Sequence, residues 1–200
     1  MAARRALTAR MSTEVGSTAE TEAEAPPKPT GELTELARLE VRVGKIVEIG
    51  PHPDADTLYV EKVDVGEEEP RTIVSGLAKF CSQEDLLGRS VVVLCNLKPV
   101  SMRGVLSAGM LLCASNEDHT EVSPLTPPEA CAPGELVTFE GHLGGAFVDP
   151  GNRAGKAWKK VAKTLAVNDD MVAAFTGETL PATFQTTSGP ITASLKGGIS

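Results

Sequence analysis

The sequence predicts a mainly β chain centred on a small closed Greek-key barrel. Three observations lead there. A long apolar–polar alternation opens at Leu39, short apolar runs separated by glycine-bearing turns follow, and one brief helical signal sits between the third and fourth runs. The chain has 200 residues, enough for one domain of ordinary size or a domain with an appendage, and enough to bury an apolar core without metals or disulfides.

In chain order, LEVRVGKIVEI (39–49) and TLYVEKVDVG (57–66) read as two long, curved antiparallel strands. The second slips phase between Val60 and Val63, which predicts a bulge there. HPDAD (52–56) offers His52, Asp54 and Asp56 as metal-ligand types, yet Pro51 and Pro53 make a turn between the two strands the better reading. RTIVSGL (71–77) is a third strand, and SQEDLLG (82–88) a turn of helix that Ser82 can cap toward Asp85. SVVVLCNL (90–97) is buried, AGMLLCAS (108–115) follows, and NLKPVSMRGVLSAGM (96–110) links them. An OB-fold fits this order. Beyond residue 140 the pattern changes. WKKVAKTLAV places Trp158, Val161, Ala162 and Leu165 at i, i+3, i+4 and i+7, one face of a helix that is otherwise largely lysine. MVAAF (171–175) and ITASLKGGIS (191–200) read as short strands around turns. The expected division is an N-terminal arm and acidic linker over 1–35, the barrel over 36–140 and an extension over 141–200.

Composition narrows the function. Aromatic residues make up only 4% of the chain, so the core must be aliphatic. No run approaches the ~20 apolar residues that span a bilayer, so no membrane role is expected. Cys81, Cys95, Cys113 and Cys131 have no C-x-x-C spacing, which argues against zinc and structural disulfides and for a reducing, cytoplasmic location. MAARRALTARM has three arginines and no acid, the composition of an organellar targeting segment over residues 1–11. Residues 12–35 hold six acids, one lysine and three prolines, a composition that packs no core.

No catalytic pattern emerges. GVLSAG has its glycine three residues before Ser107, where a nucleophile elbow needs it two before. His52, His119 and His142 lie in loop-like text, and SLKGGIS lacks phosphate-loop spacing. Neither an enzyme nor a cofactor is expected. Charge is uneven, however. The net formal charge is -8, yet Arg71 to Cys113 carries five bases against two acids, and Arg153 to Lys163 carries five bases and no acid. Eight acids between Glu48 and Glu69 are expected on a face away from the basic loop. Two local cationic patches on an acidic background suit a bounded phosphate-binding surface, because local Lys and Arg contacts set affinity for nucleic acid more than net charge does.

LEVRVGKIVEIGPHPDADTLYVEKVDVG, RTIVSGL and VVVLCNLKPVSMRGVLSAGMLLCAS together resemble the tRNA-binding domain family. That family comprises the C-terminal domain of the synthetase-associated cofactor processed to endothelial monocyte-activating polypeptide, the appendices of some tyrosyl- and methionyl-tRNA synthetases, and a bacterial homodimeric tRNA-binding protein. The likeness runs from about Leu39 to Ser200. It implies an OB-fold that recognises tRNA by shape, with residues 96–110 as the RNA-binding loop. It assigns contacts to Ser75, Asn96, Lys98, Arg103, Ser107 and Met110, with Lys156, Lys159 and Lys160 as auxiliary contacts. Lys98 and Arg103 suit phosphates, Asn96 and Ser107 sugar hydroxyls or base edges, and Met110 an exposed base. The resemblance also implies that residues 141–200 imitate the partner subunit of the bacterial dimer, so that a monomer suffices, and that the partners are tRNA and aminoacyl-tRNA synthetases, methionyl or tyrosyl foremost. The implied role is a non-catalytic synthetase cofactor. A cytokine-like signalling polypeptide and an OB-fold chaperone are the alternatives. Two departures, Ser101 where many relatives have lysine and GNRAGKAW in place of a lysine-rich run, predict an affinity below the family's norm.

Overall fold

The computed structural model describes residues 31–177 and 180–200, so the targeting candidate over residues 1–11 and most of the acidic linker lie outside the described residues. Alternation builds the barrel as expected. Strand β1 (Val41–His52) lies between β2 (Ala55–Asp64) and β4 (Ser90–Leu94), with β3 (Arg71–Ser75) beyond β2. Between β3 and β4 sits α1 (Gln83–Leu86), whose Asp85 N–H donates to the Ser82 hydroxyl at 3.2 Å, and whose Leu86 is fully buried. After β4 come the two strands of a hairpin, β5 (Val100–Met102) and β6 (Val105–Ser107), and then β7 (Met110–Leu111), which pairs with β4. The barrel closes where the Ala108 N–H donates to the Thr72 carbonyl at 2.8 Å.

The apolar run of β4 is buried on both faces, which is why it shows no alternation. Val91 and Val93 point into the barrel with Ile46, Val63, Ile73 and Leu111. Val92 and Leu94 point outward with Val41 and Val43, and there the second part of the chain covers them. That part begins with β8 (Cys113–Ser115), β9 (Val122–Pro124) and β10 (Thr138–Phe139), continues through α2 (Asn152–Val161), and ends with β11 (Leu165–Val167), β12 (Ala173–Phe175), β13 (Ala182–Thr186), β14 (Gly189–Pro190) and β15 (Gly198–Ile199). Ala157, Val161, Leu165, Phe184, Ile191 and Ile199 pack on the outward face of β1 and β4, so one apolar core spans the two parts. The chain's end is sewn in as well. β15 pairs with both β8 and β11, and Cys113 and Ser200 exchange backbone hydrogen bonds of 2.9 and 3.0 Å. Gly197 permits this approach, since a Cβ there would stand 1.7 Å from the Ser115 carbonyl oxygen.

Three expectations need correction. The bulge falls in β1, where Val47 is the extra residue between the Ile46↔Val63 and Glu48↔Lys62 pairs; β2 keeps a regular in–out order. The phase slip read in β2 arises because Glu61, an acid, occupies an inward position between Tyr59 and Val63, so it does not share the acidic outer face. The helix is shorter than its periodicity. α2 ends at Val161, a 3-10 turn follows over Ala162–Thr164, and Leu165 opens β11 opposite Phe175. The buried face of α2 is Ala154, Ala157 and Val161, with Trp158 only partly covered. The thiols of Cys81, Cys95, Cys113 and Cys131 are all unbridged, and burial pushes Cys95 and Cys113 up to about 12.

Candidate nucleic-acid interface

The loop after β4 starts from a buried anchor. Asn96 is fully buried; its Nδ2 donates to the Arg38 and Val148 carbonyls, both at 2.8 Å, and its Oδ1 accepts from the Glu40 N–H at 3.0 Å. Its hydrogen-bonding capacity on the amide nitrogen is therefore used up within the protein. In the structure the Asn96 side chain serves the loop itself. It ties the start of the loop to the segment that precedes α2, and the Asn96 carbonyl also accepts from the Gly151 N–H at 3.4 Å.

From that anchor the chain emerges as Leu97, Lys98 and Pro99 and enters the β5–β6 hairpin. Met102 pairs with Val105, leaving Arg103 and Gly104 as a two-residue turn. Both have positive φ, 47° and 91°, as a type I′ turn requires. Gly104 adopts this conformation without strain, and Arg103 is held in it at the very tip. The hairpin is braced from below by the HPDAD turn. The Asp54 N–H donates to His52 Nδ1 at 3.1 Å, which leaves the ring proton on Nε2 to donate to the Met102 carbonyl at 3.0 Å. His52 is buried, so the motif read as a turn also positions the hairpin; nothing in its residue types distinguished that second task.

Ser107 closes the barrel. Its hydroxyl accepts from the Val74 N–H at 3.0 Å, as a ladder carbonyl would, and donates to the Gly109 carbonyl at 3.0 Å. Ser75 is likewise engaged, donating at 2.7 Å to Glu61. Both hydroxyls thus have a structural duty, as the Asn96 amide does. Met110 is partly exposed in a hollow of about 200 Å3 shared with Gly76, Leu77 and Phe80, so the Met110 thioether remains available to a ligand.

Lys98 and Arg103 are exposed, and neither takes a hydrogen-bond or ion-pair partner among the described residues. Other bases of the same stretch are committed. Arg71 donates to Glu67 and to the Cys95 and Ala108 carbonyls, and those hydrogen bonds hold the Glu67 carboxyl below its usual range. Arg89 donates to Thr126 and the Pro124 carbonyl. Across from Lys98 stands α2. Lys156 and Lys159 share a groove of about 430 Å3 with Lys98, which joins the two cationic patches. Lys160, the third lysine named as an auxiliary contact, does not line this groove and is paired with Glu35 at 2.6 Å.

Glu61 was not foreseen as a buried group. One carboxylate oxygen accepts from Ser75, the other has no partner, and burial raises the group to about 7 despite the Ser75 hydrogen bond. The readable signal was its place in the in–out order of β2. Among the described residues, no three His, Cys, Asp or Glu side chains are grouped so as to hold a metal, and no helix is long and apolar enough to cross a membrane.

Residues 41–136 match the family model described as "Putative tRNA binding domain". A "Probable methionine–tRNA ligase" of Oryza sativa subsp. japonica is 52% identical over 140 residues, which are 70% of this chain and 17% of that protein. The cytoplasmic tyrosine–tRNA ligase of Xenopus tropicalis is 48% identical over 80% of this chain and 30% of its own length. This chain therefore spans less than a third of either relative. Among solved structures, the C-terminal domain of Plasmodium vivax p43 superposes with a TM-score of 0.75 at 36% identity, covering 84% of this chain and all of that one. With its mainly β barrel, its matched strands and a relative matched over its full length, the chain belongs to the tRNA-binding domain family.

Proposed function

We propose that this protein is a non-catalytic tRNA-binding cofactor of aminoacyl-tRNA synthetases, methionyl or tyrosyl foremost, acting as a cytoplasmic monomer. The observation that carries the reading is the cationic surface formed by Lys98 before the hairpin, Arg103 at its turn and Lys156 and Lys159 on α2, none of them paired among the described residues, in a chain of net charge -8. Such a surface attracts a polyanion locally while the acidic remainder repels it. Recognition is of shape and phosphate, since the polar side chains that could have read base edges are engaged inside the protein. The absence of catalysis is supported by His52 and His142, whose ring nitrogens are all engaged, and by buried thiols that carry no thiolate near neutrality. A monomer is supported by the cover that residues 141–200 give the outward face of β1 and β4.

Removing both hairpin charges, Lys98→Ala with Arg103→Ala, tests the reading. Every tRNA should bind more weakly by about the same factor, and the slope of log affinity against log salt should flatten by roughly 1.4–1.8, at about 0.7–0.9 per phosphate contact. The melting temperature should stay near wild type because both side chains are exposed. Unchanged affinity and slope would refute the placement of the site.

A further inference from the structure

The groove between the Leu97–Val100 loop and α2 has two chemistries. Leu97, Val100 and Trp158 give it an apolar part and Lys98, Lys156 and Lys159 a cationic one, and no acid lines it. Its volume, about 430 Å3, lies in the range of about 300–1,000 Å3 usual for small-ligand clefts. A phosphate-binding surface needs only the lysines. The apolar part calls for a second explanation, because Val100 is 58% exposed and Trp158, the chain's single tryptophan, is left only partly covered while Ala154, Ala157 and Val161 fill the space beneath α2. An apolar lining that includes an indole, beside three cations, is complementary to one nucleotide: a planar base with a phosphate on either side.

Resting on the tRNA-binding reading, we propose that this groove takes one unpaired, unstacked nucleotide of the bound tRNA. Its base stacks on Trp158 between Leu97 and Val100, and its flanking phosphates lie on Lys98, Lys156 and Lys159. Asn96 helps fasten the loop to the chain entering α2, so that the barrel supplies one wall and the extension the other.

Trp158 makes the test direct, since its fluorescence reports no other site. The full chain is titrated with tRNA, with a single-stranded RNA trinucleotide and with a blunt-ended RNA duplex, while binding is followed separately by mobility shift. The expected result is quenching by tRNA and by the trinucleotide, and a mobility shift with the duplex that leaves emission unchanged. Gly155 lines the groove on α2, and a Cβ there meets nothing within 4 Å, so Gly155→Leu puts a side chain into the groove while removing no charge and no core residue. It should weaken tRNA roughly tenfold or more with the salt slope unchanged. Trp158→Leu, which keeps an apolar cover, should lose affinity in the same way and guards against misfolding of the first variant. Wild-type emission that ignores bound tRNA, with full affinity in both variants, would overturn the base site and leave the cationic surface standing. No mobility shift with any tRNA would instead overturn the underlying reading.

Discussion

The tip and the foot of the segment from Asn96 to Met110 use polar residues in opposite ways. At the tip, Lys98 and Arg103 stand exposed with no protein partner among the described residues. At the foot, Asn96 and Ser107 are buried with donors and acceptors engaged by backbone from distant parts of the chain, and His52 does the same from the neighbouring turn. Water can satisfy the first group when no ligand is present, whereas the second has no partner but the protein. Mutation should therefore separate them cleanly: foot residues govern stability, and through it the shape of the site, while tip residues govern affinity alone.

The strongest break should come at Asn96. Asn96→Ala strands the buried Glu40 N–H, takes a partner from the Val148 carbonyl and leaves the Arg38 carbonyl with the Val148 N–H alone; an unsatisfied buried group costs about 1–3 kcal/mol. A loss of about 3 kcal/mol in urea unfolding is expected. Affinity measured where the variant is still folded should fall less than in the Lys98 and Arg103 double variant. Large weakening of tRNA binding with wild-type stability would place Asn96 back among the contacts.

Glu61 gives the next largest effect, and it sharpens the contrast through pH. The folded protein holds this proton up to about 7, while an unfolded chain releases it near the ordinary glutamate value of 4.5. The folded state thus binds more protons across that interval, so stability falls as pH rises from about 5 to 8. At about 1.4 kcal/mol for each pH unit between the two values, the loss approaches about 3 kcal/mol. Glu61→Gln can still accept from Ser75 and has no charge to bury, so its urea midpoint should vary far less over the same range. The slope should have the opposite sign below about pH 4.5, where the unfolded chain takes up protons that Glu35 and Glu67, both held low by hydrogen bonds from Lys160 and Arg71, resist in the folded protein. Wild-type stability that is flat from pH 5 to 8 would mean that Glu61 is solvated.

The sequence made the tip legible and hid the foot, for a physical reason. Alternation in β1 and the doubly buried run of β4 are local patterns, and each appears where it was expected, whereas the hairpin inside the linking loop was not foreseen. Whether an asparagine or serine faces water or closes a gap in the backbone depends on partners 33 to 58 residues away, as with Val74 and Arg38, and no local pattern encodes that. The end of α2 failed for a related reason. Leu165 satisfies helical spacing and strand pairing equally, and the ladder to Phe175 decides between them. Glu61 is the intermediate case, a charged residue at a position whose neighbours two away on either side are buried.

The smallest expected effect tests the comparison at its finest grain, between two lysines four residues apart on α2. Lys160 donates to Glu35 at 2.6 Å and borders a hollow with Leu36, His142 and Phe175, whereas Lys156 borders the groove of Lys98 and Trp158. Both are exposed, so composition and helical position alone make them equivalent. If what matters is the surface each one faces, Lys156→Ala should flatten the salt dependence of tRNA binding by about 0.7–0.9, the share of one phosphate contact. Lys160→Ala should leave both affinity and slope unchanged. Its stability should shift by no more than about 0.5 kcal/mol, because an ion pair with a lysine this exposed is screened by water and salt. Equal flattening by the two variants would mean that the whole lysine-rich side of α2 meets the RNA, and that the groove is not where the contact is concentrated.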